Sequence, residues 1–223
     1  MVAAHDEAGR IAATLAGLAL AFPDAQLWVA DDGSSDGTAQ IAAAAGARLV
    51  RSEQLIGKGG AVTGAAREAL SQVRAGGAGS DPIFVLCDGD LGDSARELVR
   101  LVEALESAPA DLAVAAFARR VGGGVGVAVG FARWAIQRRC GLLTRAPISG
   151  QRAMRADTLA AVLPFAPGFG MEMGMTIDAV RAGGRVVEVE LDLEHRATGR
   201  TPAGFLHRGR QLVDFVRVYL QRR

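Results

Sequence analysis

Lysine is almost missing from this chain. Of 25 basic side chains in 223 residues, Lys58 is the only lysine. Net charge is only +1, which excludes the global basic signature of a nucleic-acid binder. Two cysteines, Cys87 and Cys140, are too few for a disulfide framework or a zinc site, and Cys87 in its apolar run reads as a small core residue. His5, His195 and His207 lack metal-ligand spacing. No apolar run has the length of a membrane span, and no segment reads as a signal peptide. No G-x-G-x-x-G follows the first strand, which counts against a dinucleotide site. Gly57-Lys58-Gly59 lacks the spacing and hydroxyl residue of a P-loop, and no nucleophile elbow is present.

What is there is a substantial apolar half and an alternation of helix and strand signals. Met1–Ala4 reads as a strand end, so this strand is short or begins upstream. A helix follows over His5–Leu20, a strand over Gln26–Ala30, a helix over Thr38–Ala45 and a strand over Ala47–Val50. Then come a helix over Gly60–Val73, a strand over Pro82–Cys87 and a helix running to about Ser107, with Ser94–Glu97 as its capping box. Asp111–Ala118 is a further strand. This rhythm predicts an α/β fold: a mostly parallel central sheet with helices on both faces. Beyond a Gly-rich stretch, Phe131–Leu143 reads as an Arg-studded helix, Val186–Leu193 as a strand with one wet face, and Gly204–Arg223 as a basic amphipathic helix. Neither a linker nor a repeat divides the chain, so a single domain is expected.

Ligands of open parallel sheets bind beyond the carboxyl ends of strands. Three polar groups fall there: His5, Asp31-Asp32 and Asp88-Gly89-Asp90. Two carboxylates leaving a strand together suit Mg²⁺ or Mn²⁺, and such ions suit nucleotide phosphates. Alone, D-x-D is also what two solvated loop acids look like. The second acidic strand end, one α/β unit earlier, shifts the balance.

In order along the chain, the motifs resemble glycosyltransferase family 2, particularly its dolichyl-phosphate mannose synthase-like branch. The P-A-Y-N-E-like opening reads Ala3-Ala4-His5-Asp6-Glu7. The V-D-D-G-S-x-D-G-T motif is nearly complete from Val29 to Thr38. G-K-G-x-A reads Gly57-Lys58-Gly59-Gly60-Ala61, and D-x-D reads Asp88-Gly89-Asp90. A G-S-R-Y-like segment spans Phe117–Gly124, Arg133 matches a later helix Arg, and Ser149-Gly150-Gln151-Arg152 matches S-G-F-R. Glu172 lies in the helix acid segment, and Glu190–Gly199 matches the closing motif.

The resemblance implies a GT-A-like domain over 1–203, with a nucleotide-binding half (1–118), an acceptor half (119–203) and the helix 204–223 beyond. It implies a donor pocket of His5, Glu7, Asp31, Asp32, Lys58 and Asp88, and Mg²⁺ or Mn²⁺ on Asp88 and Asp90. Arg119 and Arg133 would place positive charge near phosphates, with Glu172 on the acceptor side; Ser149, Arg152, His195, Arg196 and Arg200 would meet the acceptor or its phosphate. The donor would be a UDP- or GDP-linked sugar, transferred with inversion to a phosphate-bearing acceptor. A polyprenyl phosphate is favoured over a small phosphorylated acceptor of the kind used by glucosyl-3-phosphoglycerate synthase. A non-catalytic nucleotide-binding regulator is the third reading. Localisation is expected to be cytoplasmic, at the inner face of the membrane if peripheral contact is made; that contact and a homodimer are left open.

Three departures matter. The opening motif has His5 in place of its aromatic. Gly92 stands where the branch often has a side-chain amide, which leaves the metal one protein ligand short unless Asp93 or water replaces it. Ala146 stands where an Asp commonly precedes S-G, which removes a general base there. A phosphate acceptor needs no such base, since its second pKa is about 6. Several residues also have plain structural readings: Asp36 as a helix initiator, Lys58 as a solvated loop residue, Glu172 as a partner of Arg152 or Arg155, and the basic tail as a helix packed on its own domain.

Overall fold

The computed structural model of the chain describes residues 1–76, 81–117, 126–193 and 202–222, the segment 202–210 as backbone. The first half alternates as expected: β1 (Val2–Ala4), α1 (Ile11–Ala21), β2 (Trp28–Asp31), α2 (Thr38–Ala44), β3 (Arg48–Arg51), α3 (Lys58–Ala75) and β4 (Ile83–Asp88). A 3-10 stretch (Gly92–Leu98) then runs into α4 (Val99–Ser107), followed by β5 (Leu112–Phe117). The second half adds α5 (Val127–Cys140), β6 (Arg152–Arg155), α6 (Ala156–Val162), a 3-10 turn (Gly168–Gly170), α7 (Met171–Arg181), β7 (Val186–Leu191) and α8 (Pro202–Gln221).

The strands form one sheet in the order β3-β2-β1-β4-β6-β5-β7. Pairing is parallel except around β6, which runs antiparallel to both β4 and β5. From β1 the chain winds outward to β2 and β3, then returns to β4 on the other side. The gap between β1 and β4 is therefore the switch point at which such sheets open a crevice.

Period-2 alternation sends side chains to two cores. In β5, Ala113 and Ala115 join α1 and α4, while Leu112 and Val114 join α3, α6 and α7. In α1, Ile11, Leu15 and Leu18 are buried one helical turn apart, and Leu98, Leu101 and Leu105 line the inner side of the α4 region. A third cluster joins α5, α7 and α8 through Ala132, Ala135, Ile136, Met173, Ile177, Phe215 and Val218.

Two expectations need correction. The capping box does not cap α4: Ser94 donates to the Leu91 carbonyl at 2.7 Å, and the α-helix starts only after Leu98. A 3-10 segment had already tightened the chain there. By spacing, Phe205, Leu212, Phe215, Val216 and Tyr219 of the tail can share one apolar face. Instead Phe215 and Val218 are buried on the domain, while Val213, Val216 and Leu220 face solvent. Neighbouring positions are about 100° apart on a 3.6-residue helix, so 215 and 216 divide between faces. The packed-tail reading is the one observed. Arg222 pairs with Asp178 at 2.6 Å, and the Arg139 guanidinium lies 3.7 Å over the Tyr219 ring. Among the described residues no helix is long and apolar enough to cross a membrane.

Candidate active site

The carboxyl ends of β2, β1 and β4 stand side by side, with Ala4 in register with Asp31 and Ala3 with Asp88. Their loops are laced together. Asp6, at φ 54°, accepts from the Ser35 amide at 2.8 Å, and its own amide donates to Ser34 Oγ at 3.0 Å. Asp36 Oδ2 accepts from the Ala8 amide at 3.0 Å, and its other oxygen accepts from the Thr38 amide and hydroxyl. The hydroxyl of Thr38 first among these bonds, then the Ala8 amide, holds the Asp36 pKa below its ordinary value. Asp36 thus accepts from the first amide of α2, whose N-cap is Gly37, and also fixes the loop after β1.

The acidic pair divides in two. Asp31 is fully buried; Oδ1 accepts from the Ser34 amide at 3.1 Å and from the Ser34 hydroxyl, and Oδ2 lies 3.2 Å from Arg51 Nε without hydrogen-bond alignment. Asp32 reaches the crevice side: Oδ1 accepts from the Ile56 amide at 2.8 Å, and its main-chain carbonyl lies 2.9 Å from His5 Nδ1. The Glu7 main-chain amide donates to Thr38 Oγ1 at 2.8 Å.

Lys58 is no solvated loop residue. It opens α3, and its Nζ lies 2.5 Å from Asp88 Oδ1 and 2.8 Å from Glu172 Oε1. Burial pulls its pKa down, but the two carboxylates outweigh burial and hold it above the ordinary lysine value. The plain structural reading of Glu172 pairs it with Arg152 or Arg155; the partner observed is Lys58. The backbone geometry that permits this needs glycine at two points. A Cβ on Gly59 would lie 1.9 Å from the Ala166 carbonyl oxygen, and one on Gly150 would lie 2.7 Å from both Asp88 Oδ2 and Lys58 Nζ.

The D-x-D loop is anchored from below by Thr14, which sequence reasoning passed over. This fully buried hydroxyl donates to the Gly89 carbonyl at 2.9 Å and accepts from the Gly92 amide at 2.9 Å. The Asp90 carbonyl accepts from Arg10 at 3.2 Å.

On the other side of Asp88, Gln151 donates to Oδ2 at 2.8 Å, and Ser149 Oγ donates to Gln151 Oε1 at 3.2 Å. Arg152 is fully buried in β6. It donates to the Ser149 carbonyl at 2.8 Å and to Thr176 Oγ1 at 2.9 Å, and one guanidinium nitrogen has no partner. Burial pulls its pKa down to about 10, with Glu172 and Glu188 opposing. Glu188, also passed over, accepts from the amides of Arg145 and Ala146 at 2.8 and 2.9 Å and from the Thr144 hydroxyl. Burial pushes its pKa up, but these bonds outweigh burial and lower it. Arg133 donates to the Arg145 carbonyl at 2.6 Å. Arg119, His195, Arg196 and Arg200 lie outside the described residues.

Among the described residues no three His, Cys, Asp or Glu side chains gather closely enough to hold a metal alone. Asp88 and Asp90 are two hard oxygen donors on one strand end. That fits a Mg²⁺-type ion, which completes its shell with phosphate oxygens and water. What sequence could not signal was Thr14, Gln151 and Glu188, which act through contacts distant in the chain. Only Gln151 lay inside a motif.

A doubly covered α/β sheet with acids at its switch point and a D-x-D at a strand end defines a glycosyltransferase of the GT-A class. The chain belongs to the family described as glycosyl transferase family 2, whose profile matches residues 1–159. It is 30% identical over 217 residues to an undecaprenyl-phosphate mannosyltransferase of Micrococcus luteus, covering 90% of this chain and 85% of that one. It is also similar to glucosyl-3-phosphoglycerate synthase of Mycobacterium tuberculosis. The crystal structure of that enzyme with Mg²⁺ and UDP gives a TM-score of 0.76 at 27% identity, covering 99% of this chain and 77% of that one. Its complex with Mn²⁺, UDP-glucose and phosphoglyceric acid gives 0.74 at 27% identity, with the same coverage.

Proposed function

We propose that this glycosyltransferase moves a sugar from a UDP- or GDP-linked donor to a phosphate-bearing acceptor, with a polyprenyl phosphate as the favoured acceptor and inversion at the anomeric carbon. The observation that carries the acceptor class is the Lys58–Glu172 pair at 2.8 Å. It commits the carboxylate best placed by sequence to act as a base, and the position where the family commonly has Asp is Ala146. Deprotonating a hydroxyl would require a free base. A phosphate arrives already ionised and needs none.

In this reading residues 1–118 bind the donor. His5, Glu7 and Asp32 meet the nucleoside, and Asp31 acts through the turn it anchors. Asp88 and Asp90 would hold Mg²⁺ or Mn²⁺, which neutralises a diphosphate leaving group when bound. Lys58 stays beside Asp88 as a fixed positive charge for the donor. The acceptor phosphate oxygen attacks the anomeric carbon, and the electron pair of the breaking C–O bond leaves with the diphosphate. Residues 119–203 serve the acceptor, with Arg119, Arg133, His195, Arg196 and Arg200 near phosphates and Ser149 and Arg152 supporting the segment beside them. The exposed side of α8 makes peripheral contact with the inner face of the cytoplasmic membrane.

The lipid-phosphate reading is supported by the Micrococcus luteus relative's name. The similarity to an enzyme crystallised with phosphoglyceric acid favours a second reading, a small soluble acceptor. Labelled UDP-glucose and GDP-mannose, each with Mn²⁺, should be offered polyprenyl phosphate in vesicles or phosphoglycerate without detergent. Label in the organic phase supports the first reading. Label on phosphoglycerate alone selects the second. Donor binding without turnover of any kind would leave only a nucleotide-binding regulator.

A further inference from the structure

β6 is the one reversed strand of the sheet among the described residues, and its direction has a local consequence. It brings the segment Ser149-Gly150-Gln151 to the same sheet edge as the carboxyl end of β4. The register Leu86 opposite Arg152, continued by two steps, sets Gln151 beside Cys87 and then Gly150 beside Asp88. Gln151 is 2% exposed, a costly place for a primary amide unless each of its groups is satisfied. Its main-chain carbonyl accepts from the Ala115 amide at 2.9 Å, which fixes the backbone. Its Oε1 accepts from the buried Ser149 hydroxyl at 3.2 Å, and its Nε2 donates to Asp88 Oδ2 at 2.8 Å. The amide has only one sensible orientation, because the flipped form would face an oxygen against a carboxylate oxygen. With Lys58 on Oδ1, the Asp88 carboxylate is held at both oxygens.

The geometry points to Gln151 as a positioning residue of the donor site: it fixes the plane of the Asp88 carboxylate before the metal–nucleotide arrives. This rests on the reading of Asp88 as a donor-site ligand. Gln151 itself touches no reacting atom. Its effect passes through Asp88, so it sets donor affinity and leaves acceptor affinity alone. A hydrogen bond to a charged group at this strength corresponds to roughly a tenfold to hundredfold change in binding.

The test is a double-mutant cycle read by calorimetry, with UDP and Mn²⁺ as the probe. Gln151→Leu, Asp88→Ala and the double variant are compared with the parent chain, and far-UV circular dichroism reports their folding. Gln151→Met, unbranched and closer in length, replaces the Leu variant if that one fails to fold. The expected result is that Gln151→Leu binds UDP–Mn²⁺ at least about tenfold more weakly, and that adding it to Asp88→Ala costs nothing further. Gln151→Glu, which sets carboxylate against carboxylate, is expected to bind more weakly than Gln151→Leu. Unchanged affinity in Gln151→Leu, or a loss that simply adds to that of Asp88→Ala, overturns the positioning role while the donor-site reading stands. If Asp88→Ala itself binds UDP–Mn²⁺ like the parent, the donor-site reading fails and the positioning role goes with it.

Discussion

Asp88 and Glu172 share a single ammonium: Lys58 Nζ lies 2.5 Å from an oxygen of the first and 2.8 Å from an oxygen of the second. One acid ends a strand of the first half and the other sits in the first turn of α7, at 7% exposure. The only lysine of the chain therefore links the D-x-D loop to α7. An arginine fork would demand more space, and Gly150 shows how little there is.

Lys58→Met is expected to leave two carboxylates facing each other without their cation. Loss of a buried ion-pair partner costs several kcal/mol, but the lysine side chain is 29% exposed and solvent screens part of this, so about 1–3 kcal/mol is expected. The sign with pH follows from a pKa raised above the unfolded value of 10.5. The contribution is complete below 10.5 and fades as pH rises through the folded value. Urea unfolding of parent and variant should thus differ by a constant amount through neutral pH, with the gap closing only at strongly alkaline pH. A gap that closes near pH 7 would contradict the pairing.

Much of this was legible in the sequence because strand ends of a parallel sheet expose their polar residues in a fixed place. The strand ends that carry Asp32, Asp88 and Asp90 could be placed from apolar runs alone. β6 was not legible as a strand: four residues with Arg at both ends carry neither alternation nor an apolar run. Its reversed direction, on which Gln151 depends, is a tertiary fact. Lys58 pointed to itself by rarity, but nothing local names partners so far along the chain. Glu188 was visible only as one acid on the wet face of its strand, and the loop it holds is set by folding.

Two glycine-to-alanine changes should separate. In Gly59→Ala the new methyl meets main-chain Ala166, at 1.9 Å from its carbonyl oxygen, and neither backbone can yield cheaply. This variant should lose more than about 3 kcal/mol or fail to fold, the upper range of overpacking. In Gly150→Ala the methyl meets the ends of the Asp88 and Lys58 side chains, which can move. The expected loss is about 1–2 kcal/mol, with UDP–Mn²⁺ affinity falling alongside. Urea titration and calorimetry on both proteins check this. Equal stability losses would show that the two contacts are wrongly ranked.

Glu188→Gln tests the loop at Ala146. The parent carboxylate accepts two amides and a hydroxyl, and these lower its pKa below the unfolded value of 4.5. Its contribution is therefore present above 4.5 and lost as pH falls through the folded value. The glutamine variant should be about 1–2 kcal/mol less stable at pH 7. The difference should shrink in acid. Denaturation at pH 7 and in steps below pH 4 measures it, and a difference that grows on acidification would contradict the assignment.

The outward side of α8 carries Val213, Val216 and Leu220 at 50%, 38% and 48% exposure. If this side touches lipid as proposed, the chain should co-sediment with anionic vesicles more than with neutral ones, because Arg217 flanks the stripe. Val216→Glu should reduce that partitioning severalfold without changing stability by more than about 0.5 kcal/mol, as befits a surface position. Equal partitioning onto both vesicle types, or none, would confine α8 to its packing role.

The two acidic motifs should fail in different ways. In the proposed site Asp90 gives its carboxylate to the metal, so Asp90→Ala should abolish the Mn²⁺-dependent part of UDP affinity. Affinity for uridine monophosphate without metal should stay unchanged. Asp32 is tied to the Ile56 amide at 2.8 Å and, through its carbonyl, to His5 at 2.9 Å, and in the proposed site it meets the nucleoside. Asp32→Ala should therefore weaken the monophosphate even without metal, by about tenfold for one lost charged hydrogen bond. Calorimetry of each variant with uridine and guanosine monophosphates, then with the diphosphates and Mn²⁺, separates the two. A loss in Asp32→Ala that appears only with Mn²⁺ would move Asp32 into the metal site and collapse the division between nucleoside and phosphate ends.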